Sequence, residues 1–393
     1  MQTDSIDTRT IDLAVADLAG DEMHSLMHHV REQTSVAEFN FAGMPAWVIT
    51  RFADLELAYR DGERFPPELV YQMSMDEACG RSFISMPQEE HNRYRQLATP
   101  AFRLKAVKSH GNDHLVNLAN TLIDEFVDAG ETDLVESFTR RFPLLIICRM
   151  LGLPTDIEET FGHWALDLLS FPSRPEAAVQ AGQEMAEFLR PLLEQRRLHP
   201  QEDVLTELAQ AELDGQQLSD EEIISHIRLL FPTGADTTYL ALGNLLYTLL
   251  SERSRWQALI DKPELIDGAV EELLRYETPV PFMPRLSAAR DIEFCGHHIP
   301  ANSMLMFCVG SGNRDNSVFD NPNEFDMRRK AKKILSFGPG LRTCPGMHIA
   351  RRNMQVALAV LLQRLPGLTL IDPQAAQPRG CNLRGPKALR VKF

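Results

Sequence analysis

The chain has 393 residues, with 40 Lys and Arg against 55 Asp and Glu, a formal net charge of −15. That balance excludes a nucleic-acid binder that draws its affinity from phosphate neutralisation, and 44% hydrophobic residues exclude disorder for the bulk of the chain. No run of about 18 apolar residues occurs, so no membrane anchor is expected.

Residues 1–20 are acidic and patternless and read as a loose segment. Residues 21–393 show no linker, repeat or low-complexity tract and read as one domain. The N-terminus carries Asp4 where a signal peptide carries positive charge, so a cytoplasmic protein is expected. His24, His28 and His29 fall on one N-terminal helix and read as solvent-facing side chains rather than a metal site.

Apolar residues recur every three or four positions over 88–108, 112–129, 133–151, 175–198, 219–251 and 264–276, which predicts helices there. Ser219-Asp-Glu-Glu222 has the form of a capping box and opens the longest of them. A helix from there to Ser251 is about 48 Å long, enough to cross a domain. Pro232 and Gly234 are expected to interrupt it. Trp47–Thr50, Ile292–Cys295, Ser303–Val309 and Leu368–Ile371 are short β-prone runs. The fold class is therefore mainly α with small β-sheets.

Six cysteines without CxxC spacing suit neither a zinc ribbon nor a disulfide scaffold. One of them, Cys344, lies in Phe337-Gly-Pro-Gly-Leu-Arg-Thr-Cys-Pro-Gly346, a Gly-rich loop feeding a helical pattern from Met347. Free N–H groups at a helix start favour a thiolate, and a thiolate is a soft ligand for iron. The same ten residues, read alone, are equally a structural turn with a buried thiol.

This loop resembles the haem-ligand loop of cytochromes P-450. Three further motifs of that family follow the right order: His91-Asn-Arg-Tyr-Arg95, Thr233-Gly-Ala-Asp-Thr-Thr238 and Glu272-Leu-Leu-Arg275. The resemblance covers roughly residues 45–390. It implies the cytochrome P-450 fold, haem b held between the long central helix and the Cys344 loop, and a monooxygenase. Epoxidation, dehydrogenation or coupling are the alternative reactions of the same haem, and a non-catalytic haem-thiolate sensor or electron carrier is the rival from another class.

By the same resemblance, Cys344 is the iron ligand and Phe337 flanks the haem. His91, Arg95, Arg285 and Arg342 serve its propionates, since buried anions need charge-assisted partners. Glu272 and Arg275 share one helix face and are joined by Arg329 into a buried network. Read from spacing alone, that pair is an exposed ion pair worth well under about 1 kcal/mol. Asp236 and Thr237 resemble the acid–alcohol pair that relays protons during oxygen cleavage, while a helix-interior Thr otherwise bonds back to its own i−4 carbonyl. Leu229, Pro232, Thr233, Pro281, Phe282, Asn382 and Leu383 are expected to face an apolar substrate, with residues 65–86 as a distal lid.

A member of this family without a fused reductase takes electrons from a separate protein, here expected to be a ferredoxin. Arg328–Lys333, Arg351-Arg352 and Arg103, Lys105 and Lys108 concentrate positive charge near the cysteine loop of an acidic chain, which suits the steering of an acidic partner.

Overall fold

The computed structural model describes residues 7–103, 112–171, 174–330, 332–340 and 342–393. Its helices include α1 (Glu22–Gln33), α2 (Asp76–Cys79), α3 (Gln88–Ala98), α4 (Arg141–Leu151), α5 (Pro175–Leu198), α6 (Asp220–Leu250), α7 (Ile266–Tyr276) and α8 (Met347–Arg364). Every helix predicted from periodicity is present at least in part, but the segment expected over 88–108, of which residues 104–108 lie outside the described residues, is interrupted, and the one expected over 133–151 is shorter. The first gives way after Ala98 to a 3-10 turn, and the second begins as a π-turn over Val135–Thr139.

The central helix α6 carries the capping box that its sequence announces: Ser219 Oγ accepts the Glu222 N–H at 3.3 Å, and Glu222 Oε2 accepts the Ser219 N–H at 2.8 Å. Contrary to expectation, it runs unbroken through Pro232. The proline removes only one donor, and α4, α5, α7 and α8 pack around the helix on several sides. Tertiary packing here outweighs local propensity.

A four-stranded sheet flanks the helical body. Its strands are β1 (Val36–Phe41), β2 (Met44–Ile49), β3 (Phe282–Leu286) and β4 (Met304–Cys308), in the order β1-β2-β4-β3. β2 and β4 are parallel, with Ala46 opposite Met304, and the other two pairings are antiparallel. β1 and β3 carry no simple strand signal in the sequence. Their apolar residues pack both ways, onto α1 and onto the Phe52–Arg60 helix.

Residues 7–20 are not loose. Asp12 pairs in a bridge with Asn40, and its carboxylate accepts the N–H groups of Ala42 at 3.0 Å and Gly43 at 2.7 Å in the β1–β2 turn. Leu13 is fully buried beneath α1. His24 is a second correction. It lies buried on the inner face of α1, with Nε2 3.0 Å from Glu277, and Glu277 also receives Arg384 Nε at 2.6 Å. The sequence shows the histidine but not its partner, which is 253 residues away.

Candidate active site

Two left-handed glycines, Gly338 and Gly340, shape the loop before Cys344. A Cβ at Gly340 would lie 2.9 Å from the Tyr59 carbonyl oxygen, so only glycine fits there. The Cys344 N–H donates to the Phe337 carbonyl at 2.9 Å and closes the loop. Pro345 has no N–H, and the sulfur instead receives the backbone N–H groups of Gly346 and Met347 at the start of α8. Burial pushes the Cys344 thiol up, while these N–H groups, Arg95 and Arg351 oppose that shift. Phe337 is half-buried, with the Arg351 guanidinium 4.6 Å above its ring.

Behind the loop, Glu272, Arg275 and Arg329 form one buried ionic knot. Arg275 reaches Glu272 at 2.7 and 2.9 Å, and Arg329 Nε reaches it at 2.9 Å. The two guanidiniums then bind the carbonyls of Asn313, Pro322, Asp320 and Glu324. The segment leading to Cys344 is thereby tied to α7.

A second cluster gathers three arginines and a histidine. His91 Nδ1 donates to the Phe83 carbonyl at 2.7 Å, and its Nε2 is buried without a partner. Arg342 donates to the carbonyls of Phe83, Ile84 and Met86 and to Glu68 at 3.3 Å, while its Nε is also unpartnered. Arg285 is buried between the rings of Tyr59 and Tyr71, each centroid 5.7 Å away. Arg95 lies close enough to Cys344 for the two charges to interact. Burial, followed by the Phe83 carbonyl's opposing pull and the charges of Arg342 and Arg95, leaves His91 pushed down to about 4. Burial likewise pushes Arg342 down to about 10 despite Glu68. The cluster is short of negative charge, and that deficit, the orphaned Arg342 Nε–H and a His91 imidazole whose Nε2 an approaching anion would favour protonating suit a ligand bearing carboxylates.

On α6, Thr237 Oγ1 donates to the Thr233 carbonyl at 2.9 Å and Thr233 Oγ1 to the Leu229 carbonyl at 2.7 Å. Both hydroxyls thus make the i−4 bond that was the alternative to a relay. Asp236 is buried, with Oδ2 unpartnered, and burial pushes its carboxyl up to about 7 against the charge of Arg140. Thr233, Gly234 and Thr237 line one cavity together with Ile147 of α4 and Gly346 and Ile349 at the start of α8. The central helix and the cysteine loop therefore face each other across a slot. Its α8 wall lies beside the Cys344 sulfur, which a Cβ at Gly346 would approach to 3.9 Å, and a separate cavity is lined by Tyr59, Phe65, Arg285 and Arg342. These features fit haem b, an apolar disc with two carboxylates and an iron that takes a thiolate.

Of the residues expected to face a substrate, Thr233 lines the slot. Leu229 and Pro232 are buried, Leu229 in the apolar cluster that also holds Phe83 and Met86 of the lid. Pro281 is buried against Gly310, while Asn382 and Leu383 are half-buried in a loop whose Arg384 N–H reaches the Pro279 carbonyl at 2.9 Å. Phe282 is a correction. It is fully buried with Met23, Phe39 and Met306 on the N-terminal side of the sheet, because its pairing with Cys308 fixes which way it turns. Sequence reasoning missed Tyr59, Glu68 and Ile147, none of which carries a local signal.

The basic surface is narrower than the sequence suggests. Arg329 belongs to the buried knot, Arg351 binds Glu271 at 3.1 Å, and Lys333 pairs with Glu56. Lys105 and Lys108 lie outside the described residues. Arg103, Arg328, Lys330 and Arg352 make no ion pair among the described residues. The first three are exposed, and Arg352 is half-buried.

Comparison with known proteins agrees with this geometry. The family model for cytochrome P-450 matches residues 251–370. Mycinamicin IV hydroxylase/epoxidase of Micromonospora griseorubida is 33% identical over 369 residues, covering 89% of this chain and 90% of the relative. The solved cytochrome P-450 PksS of the Bacillus subtilis bacillaene polyketide synthase superposes with a TM-score of 0.87 at 29% identity, over 95% of this chain and 97% of that one. A myxobacterial cytochrome P-450 in complex with myristic acid gives a TM-score of 0.88 at 27% identity, over 95% and 96%.

The chain belongs to the cytochrome P-450 family. It is an oxidoreductase of the monooxygenase class that uses haem b, draws electrons from a redox partner and acts on small molecules. No helix among the described residues is long and apolar enough to cross a membrane.

Proposed function

We propose that the chain hydroxylates an apolar small molecule, inserting one atom of O2 into an unactivated C–H bond while the other leaves as water with two protons and two electrons. Haem b, when bound, supplies an iron that takes up O2 and is activated by two electrons. The chain's residues do the rest. Cys344 gives the thiolate ligand. His91, Arg95, Arg285 and Arg342 hold the propionates, and Phe337 packs beside the ligand loop. The knot of Glu272, Arg275 and Arg329 keeps that loop in register.

Asp236 and Thr237 deliver the protons. Asp236 exchanges protons near neutral pH because burial raises its affinity for them, and Thr237 lies on the slot wall next in sequence. Leu229, Pro232, Thr233, Pro281, Asn382 and Leu383 form the apolar surround of the substrate, under a lid of residues 65–86. The observation that carries this reading is a slot with Thr237 on one wall and the cysteine loop on the other, beside a buried and unpartnered Asp236. A bare electron carrier has no use for a proton-exchanging carboxyl there.

The electron donor in this reading is a ferredoxin-type protein, steered to Arg103, Arg328, Lys330 and Arg352. Epoxidation is the second reading, since the name of the Micromonospora relative carries both reactions. Isotopically labelled O2 tests the assignment: the label must appear in the product. Label arriving from water instead contradicts it.

A further inference from the structure

Arg228 lies on α6 beside Leu229 and is only 6% exposed. Its Nη1 donates to the carbonyls of Ala78 on α2 and Gly182 on α5, both at 3.3 Å. Its Nη2 donates to Glu221 at 2.6 Å, and Arg190 of α5 approaches the same carboxylate at 3.5 Å. One guanidinium therefore joins the lid, the α5 helix and the central helix. Nothing in the haem site uses it.

The backbones around it come unusually close. A Cβ at Gly182 would lie 2.0 Å from the Ala78 carbonyl oxygen. Gly80 has φ +78, and a Cβ there would lie 2.2 Å from Ser225 Oγ and 2.8 Å from Arg228 Nη2. Both positions need glycine for the lid to sit where Arg228 can reach it. Below this contact, Ala78, Cys79, Phe83 and Met86 of the lid merge with Leu229 of α6 and Met185 of α5 into one apolar cluster. A bulky ligand reaching that cluster by this face has to part α2 from α5. A buried guanidinium is costly unless its donors are met. The shut arrangement meets Nη1 with two carbonyls that separate when the lid lifts and Nη2 with Glu221, and leaves Nε without a partner.

We propose that Arg228 is a positioning residue that clasps the lid against α5 and sets how fast bulky molecules enter and leave the pocket. The proposal rests on the reading of residues 65–86 as the pocket lid. It differs from a purely structural role in what it moves, which is ligand exchange graded by ligand size.

The test uses haem-loaded protein, with imidazole and 4-phenylimidazole as probes followed by stopped-flow absorbance. In Arg228→Met, both association and dissociation of 4-phenylimidazole should quicken by roughly fivefold or more, the weight of about one lost hydrogen bond. Imidazole rates should stay within about twofold. Gly182→Ala keeps the arginine but drives the Ala78 carbonyl away, so it should act the same way. Arg228→Lys, which keeps a donor, should restore part of the wild-type rates. Unchanged 4-phenylimidazole rates in both Arg228→Met and Gly182→Ala, or equal acceleration of both azoles, would overturn the clasp. Backbone hydrogen exchange at residues 76–80 should also rise in Arg228→Met, and its failure to do so would equally overturn it. That readout needs no haem, so it separates failure of the clasp from failure of the haem assignment.

Discussion

Arg329 Nε lies 2.9 Å from Glu272 Oε1, joining residues 57 positions apart in a knot that Arg275 completes. Truncating Glu272 to Ala leaves Arg275, 1% exposed at its side chain, facing Arg329 with no carboxylate between them. The expected loss is about 3–5 kcal/mol, because removing one partner strands buried charge. Denaturant unfolding of Glu272→Ala, alongside its retention of haem, measures both consequences. Both should fall together, since the knot holds the segment leading to Cys344.

Asp236 and Thr237 separate proton delivery from stability. Thr237→Ala should leave the consumption of reducing equivalents in place while moving them from product to peroxide, as read by the ratio of the two. Asp236→Asn should do the same and also stabilise the chain at high pH. Burial raises the folded carboxyl from 3.8 to about 7, so its proton is held in the folded state and released in the unfolded one. That contribution is complete below 3.8 and is lost as pH rises through 7. At pH ~8 the asparagine variant should therefore gain on the order of 4 kcal/mol at most.

His24 sets an acid limit. Burial, helped by Arg314 and opposed by Glu277, pushes its imidazole from 6.5 down to about 4. Above 6.5 both states are neutral there and stability is complete. As pH falls from 6.5 toward 4, the unfolded chain takes a proton that the folded chain refuses, so stability drops. The drop is on the order of 3 kcal/mol. His24→Gln should flatten the fall of Tm across that window. An unchanged slope would place the acid-sensitive group elsewhere.

Lys330→Glu with Arg352→Glu should slow first-electron transfer from a ferredoxin and reduce its dependence on ionic strength. Ligand-induced Soret shifts should be untouched. Arg351 is the informative control. It is held by Glu271 and stacked on Phe337, so its reversal should cost stability as well as docking.

The sequence carries local information well. The capping box at Ser219 and the 3.6-residue period fix α6, since both act within a turn or two. The residues of the knot and the cysteine loop are legible through their resemblance to family motifs, since spacing alone reads Glu272 and Arg275 as an exposed pair and the loop equally as a structural turn. What failed was set at long range. Asp12 caps a turn 31 residues away, His24 meets Glu277 across 253, and Arg351 is claimed by Glu271 across 80. Phe282 was misplaced because a strand residue's direction depends on register, and its partner is Cys308. Pro232 failed in the opposite sense, as a local breaker overruled by packing.

The central claim is that Cys344 ligates haem iron as a thiolate, under a loop shaped for it. The carbon monoxide difference spectrum of the reduced protein tests it most directly. The intact chain should show the long-wavelength Soret band of thiolate ligation, and Cys344→Ser should lose it. A short-wavelength band of the kind given by neutral nitrogen or thiol ligands in the intact chain, or survival of the long-wavelength band in Cys344→Ser, would contradict the account.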